Sequence, residues 1–161
     1  MDNMEITAGD GGGGGGAFVP PTDVNVFRGV LLSGTVADYQ DSDDALATFN
    51  PGFVLNDTEA PVWLIFDAVA ADATSFRVES TAGTPGLTYT VEAFNWSSGL
   101  FEEIAVMGET FNNELVETFD IVPADHIDVG GEVRGRVGWR QTGFTINFPW
   151  VIRVDQTGWN Q

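Results

Sequence analysis

From Asp23 onward the apolar positions recur with a period of two, and no segment carries a sustained helical stripe, which predicts strands. A first strand is predicted over residues 27–36, rich in Val and Leu. Residues 62–66 (VWLIF) form a continuous apolar run, the pattern of a strand buried on both faces. Phe76, Val78 and Ser80 alternate with Arg77 and Glu79, and Tyr89, Val91 and Ala93 alternate with Thr90, Glu92 and Phe94. Asn95-Trp96-Ser97-Ser98-Gly99 is turn chemistry, with residues 101–107 as the return strand of a hairpin. Residues 115–122 follow. Val133, Val137 and Trp139 then alternate with Arg134, Arg136 and Arg140. A last strand over residues 148–155 puts Phe148, Trp150, Ile152 and Val154 on one face. Turn clusters at residues 50–52, 82–86 and 129–131 separate these runs. Many short strands at this spacing predict an all-β chain, a jelly-roll-type antiparallel β-sandwich over residues 23–161.

Residues 1–22 break the pattern and form an extended glycine-rich N-terminal arm. Gly11, Gly12, Gly13, Gly14, Gly15 and Gly16 have no side chain to pack, and Ala17, Phe18, Val19 and Pro20-Pro21 follow. Such a run is either a linker or an assembly arm whose backbone approaches a neighbouring subunit closely, with Phe18 as its anchor.

Charge narrows the partners. The 161 residues carry 24 acidic and 6 basic side chains, net −18, and every basic residue is Arg. No basic face for phosphate neutralisation can be assembled, so neither nucleic acid nor an anionic membrane surface is an expected partner. No apolar run approaches the length of a membrane span. Without Cys there is no disulfide and no thiolate site. The stretch MDNMEITAGD has neither a basic nor an apolar signal-peptide region. This favours a virion surface, or an extracellular place reached without classical secretion.

Catalysis finds little to work with. Without Lys there is no P-loop, Schiff base or lysine base. His126 is the single His, set in what reads as a plain loop, and no Gly-x-Ser-x-Gly elbow accompanies it. Paired carboxylates occur in no recognisable catalytic motif. The expectation is a chain that is not an enzyme. Arg134, Arg136 and Arg140 share one strand face and are expected to pair with acidic residues on an adjacent strand. Trp63, Trp139 and Trp150 read as core. Trp96, in a turn with Asn95, is either a platform for a sugar ring or a packing lid. Trp159 is a candidate subunit contact. Asp41, Asp43 and Asp44 offer several oxygens to Ca²⁺ from one loop, or are a solvated acidic loop.

Several stretches carry a family resemblance. These are Ser33-Gly34-Thr35 with Asp38 and residues 41–44, Glu92 to Gly99 before Phe101-Glu102, Gly131 to Val137, and Val151 to Asp155. From Ser33 to Trp159 the chain resembles the galactose-binding-like jelly rolls of extracellular bacterial proteins and carbohydrate-binding modules. The resemblance implies a structural Ca²⁺ linking the opening loop to the final strand, adding Asp155 to the ligand set. Residues 1–22 have no counterpart in it. Fold alone does not decide function. The first expectation is a structural protein of an ordered assembly, a phage or virus particle decoration or fibre protein. Its arm would bind other subunits, its own or those of a capsid. The alternative is a carbohydrate-binding module with a glycan partner and a site at Asn95 and Trp96.

Overall fold

The computed structural model describes residues 17–43, 45–56, 58–142 and 149–161. Among the described residues eleven strands run in order: β1 (Phe18–Val19), β2 (Asp23–Arg28), β3 (Val30–Ser33), β4 (Ala47–Asn50), β5 (Val62–Val69), β6 (Ser75–Ala82), β7 (Leu87–Asn95), β8 (Leu100–Gly108), β9 (Leu115–Asp120), β10 (Glu132–Gln141) and β11 (Ile152–Asn160). One sheet has the order β3-β4-β11-β6-β9, with β1 also on β11, and the other has β2-β5-β10-β7-β8. All strand pairings are antiparallel. The result is the sandwich that the alternation predicts.

The faces follow from that alternation. In β7 every odd position from Leu87 to Asn95 is buried, and the even ones are half-exposed. The inner faces meet in an aromatic core. Phe76 lies 4.5 Å from Trp159 and 6.0 Å from Phe66, with Tyr39 5.7 Å beyond Phe66 (ring centroids). Trp159, expected at a subunit contact, is instead fully buried within its own chain. Gly135 of β10 faces inward, where a Cβ would stand 2.8 Å from the Phe76 ring. Only glycine lets the opposite sheet approach so closely.

Two strand predictions need correction. The single strand expected over residues 27–36 is two strands in different sheets. They are separated by Gly29 at φ +111°, a conformation that redirects the chain and suits glycine. The last strand runs on to Asn160 through a bulge between Val154 and Thr157, while Phe148 lies outside the described residues. His126, read as a loop residue, closes the one-turn helix α1 (Pro123–His126).

Gly11 to Gly16 also lie outside the described residues. Phe18 and Val19, assigned to the arm, pair with Asn160 and Trp159 and so extend the sandwich. Phe18 rests on Gly158, where a Cβ would come within 2.5 Å of its ring and of the Val19 carbonyl. Gly158→Ala is therefore expected to lift β1 off β11 at a cost of about 1–3 kcal/mol. Denaturant unfolding would read the loss.

Glu109, beyond the end of β8, is half-buried at the edge of the core. Its carboxylate accepts hydrogen bonds from Ser80 Oγ and Trp139 Nε1, both at 2.7 Å, and from the Thr110 amide at 2.9 Å. Burial outweighs these donors and pushes its pKa above the ordinary 4.5. The folded protein therefore holds this proton more tightly than the unfolded chain. The resulting stabilisation is complete below pH 4.5 and is lost as pH rises through the higher folded value. The expected outcome is that wild-type stability, relative to Glu109→Gln, declines across that window. Unfolding melts at a series of pH values check it, and parallel curves would contradict it.

Candidate functional site

The outer face of the five-stranded sheet gathers most of the side chains that can do chemistry. On β5 the apolar run read as buried on both faces alternates instead. Val62, Leu64 and Phe66 are inside, and Trp63, Ile65 and Asp67 are half-exposed outside. Outward from β10 come Arg134, Arg136, Gly138 and Arg140, and from β7 Thr88, Thr90, Glu92 and Phe94. Register then decides neighbours. Gly138 lies between Trp63 and Thr90, and Arg136 between Ile65 and Glu92. Arg134 is opposite Asp67, Arg140 opposite Thr88, and Glu92 opposite Glu103 of β8.

Two of the three arginines pair across strands, as their alternation predicts. Arg136 donates to both oxygens of Glu92, at 2.5 and 2.8 Å. Its guanidinium is clamped between the rings of Trp63 and Phe101, 4.2 and 4.0 Å from their centroids, a cation–π arrangement. Arg134 donates to Asp67 at 2.5 Å and lies 5.6 Å from Phe94 and 5.8 Å from Trp96. Arg140 differs: among the described residues it makes no ion pair.

A shallow open cavity of about 200 Å³ sits on this face, lined by Thr58, Ala60, Trp63, Thr90, Glu92, Glu103, Gly138 and Arg140. Glycine at 138 keeps its floor clear. A Cβ there would stand 2.8 Å from Ala60 and 3.0 Å from Trp63 Nε1. Trp63 Nε1 and Arg140 Nε are buried and have no hydrogen-bond partner. Unmet donors at a cavity wall are costly unless something accepts from them. A second cavity of about 300 Å³, walled by Phe53, Pro61 and Trp150 among others, lies beyond Arg140, which lines both.

The predicted sugar contacts stand elsewhere. Asn95 is buried, and its side chain is committed to its own turn. Oδ1 accepts from the amides of Ser97 and Ser98 at 2.8 and 2.9 Å, and Nδ2 donates to Glu102 at 2.9 Å. Trp96 donates from Nε1 to the His126 carbonyl at 3.2 Å and meets Phe94 edge-on at 4.9 Å. It covers α1 as a lid. His126 accepts from the Val122 amide at Nδ1 and faces Glu102 through Nε2.

The predicted calcium set does not converge among the described residues. Asp41 and Asp43 are exposed, and Asp43 Oδ1 accepts from the Ala45 amide at 3.0 Å. Asp44 lies outside the described residues. Asp155 is buried in the β11 bulge, where its carboxylate comes within 4.8 Å of those of Glu79 and Glu114.

No family model matches the chain, and no curated protein matches it. Solved structures do. One is the family 32 carbohydrate-binding module CpGH89CBM32-4, produced by Clostridium perfringens, in complex with GlcNAc-α-1,4-galactose. It shares 13% identity and a TM-score of 0.55 over 90% of this chain and 95% of that one. A family 29 carbohydrate-binding module matches at 9% identity and a TM-score of 0.49 over 86% of this chain and 89% of that one. The first likeness shows the fold: a galactose-binding-like jelly-roll sandwich of the kind built into carbohydrate-binding modules.

The clamp on Arg136 organises the aromatic half of this face. Arg136→Ala should cost about 1–3 kcal/mol by stranding Glu92 and unstacking Trp63 and Phe101. Arg136→Lys should recover only part of this, because a point charge cannot fork onto a carboxylate. Thermal unfolding of both variants is the check; full recovery by Lys would mean that charge alone matters.

Proposed function

We propose that the chain is a non-catalytic glycan-binding module whose site is the cavity beside Trp63. The observation that carries this is the composition of the cavity wall. One aromatic residue, one arginine, two carboxylates and two threonines, Thr58 and Thr90, line one open space. Sugar hydroxyls both donate and accept, so one hydroxylated ring can serve all of these groups at once. The carbohydrate-binding-module fold supports the reading without naming a sugar. Glu92 has both oxygens occupied by Arg136, which suits a structural ion pair and not a proton donor to a leaving group. The reading as a virus-particle subunit rests on residues 1–22 and gains nothing from the likeness of fold.

The experiment is a glycan array followed by titration calorimetry on the hits. Thr90→Phe, which fills the cavity from an outward strand position, is expected to abolish binding while leaving the melting temperature near wild type. Trp63→Ala should weaken binding at least roughly tenfold, since the aromatic wall of the cavity is lost. Trp96→Ala should leave affinity unchanged. Binding that survives Thr90→Phe but not Trp96→Ala would move the site to the β7–β8 turn and overturn this assignment.

A further inference from the structure

Arginine is scarce in this chain, and carboxylates outnumber it four to one (24 against 6). Four of the six arginines are accordingly ion-paired: Arg28 with Glu59, Arg77 with Glu79, Arg134 with Asp67 and Arg136 with Glu92. Arg153 and Arg140 make no ion pair among the described residues, and Arg140 lines two cavities. Its Nε is buried and without a hydrogen-bond partner. Thr88, opposite it in the register, has a buried Oγ1 that is likewise unmet. Glu103 lines the same cavity but makes no ion pair with Arg140.

Only the Nε edge of this guanidinium is enclosed, and Arg140 as a whole is half-buried, so its outer edge is free to meet an anion. The chain had abundant carboxylates with which to neutralise this arginine, as it did for the two on the same strand face, and Arg140 is left open toward the ligand space. We infer that the site selects an acidic saccharide, a sugar chain bearing a carboxylate of the uronic-acid type, with that carboxylate seated on Arg140. The planar fork of arginine matches a carboxylate in two parallel bonds. The neutral ring then lies toward Trp63, where donors and acceptors alternate. Glu92 does not oppose this, since Arg136 neutralises it. The overall negative charge acts weakly at this range, because exposed charges more than about 8 Å away are largely screened at physiological salt. This inference rests on the glycan-binding reading of the cavity and adds the chemical class of the sugar.

The test is calorimetric titration of the full chain with trigalacturonate, with its fully methyl-esterified form and with a sulfated galactan oligosaccharide. Trigalacturonate is expected to bind, with esterification weakening it roughly tenfold or more, the scale of one charged hydrogen-bonded pair. Arg140→Gln should bring the acid down to the affinity of the ester and leave the ester unchanged. Arg140→Lys should retain only part of the preference. Melting curves of both variants verify folding. Equal binding of acid and ester by the wild type, or no effect of Arg140→Gln on the acid, overturns the inference while leaving the glycan site standing. Binding of the sulfated chain alone overturns the carboxylate assignment. If neither these probes nor any neutral glycan on the array binds, the glycan reading itself fails and takes this inference with it.

Discussion

The close approach of the two sheets at β10 is the constraint from which core and surface both follow. Gly135 points inward and admits the Phe76 ring from the facing sheet. Phe76 in turn packs on Phe66 and Trp159, and Trp159 anchors the strand that carries β1, β4 and β6. Three residues along the same strand, Gly138 points outward and lets Ala60 and the Trp63 indole close over the backbone. One strand without Cβ atoms at two positions thus sets the spacing of the core on one face and the floor of a cavity on the other. A side chain at either would force its neighbours apart, since packed interiors have little slack.

The arginines on this strand extend the same logic to charge. In water an exposed ion pair contributes little, but the Arg136 side chain is only 18% exposed, enclosed by Glu92 and two aromatic rings. Its role is to fix where Trp63 and Phe101 stand, a matter of geometry more than of net stability. Arg134 ties Asp67 of β5 to β10 in the same manner. Arg140 continues the stripe without a tie, so the strand ends in an uncommitted charge where its fixed charges stop.

Strand alternation made most of this fold legible. The period of two identified β6, β7 and β10 and their inward faces, because one side of each is buried, while β8 was marked by the turn before it. The arginine stripe and its pairing with acids of an adjacent strand were equally readable for Arg134 and Arg136, since register follows from burial. The site itself was hidden by the same rule. The run at residues 62–66 is apolar at every position, so nothing in it distinguishes Trp63, which faces outward, from Leu64, which does not. Trp96 stayed open between platform and lid because a turn alone does not decide exposure, and no pattern announces the four-residue helix α1 beneath it. The bulge after Val154 was equally silent, and a one-residue slip of that kind reverses the face of every side chain after it, which is how Trp159 comes to lie inside.

A global charge of −18 argues soundly against extended polyanions, whose binding scales with the number of neutralised phosphates. That argument does not transfer to a single anionic group held in a cavity. There the local balance decides, and it is set by which carboxylates are already spent. Glu92 and Asp67 are consumed by Arg136 and Arg134, so their charges weigh less near Arg140 than a count along the sequence implies. Counting charges along a sequence gives the far field only. The near field depends on strand register, which places each arginine beside a particular acid or beside none.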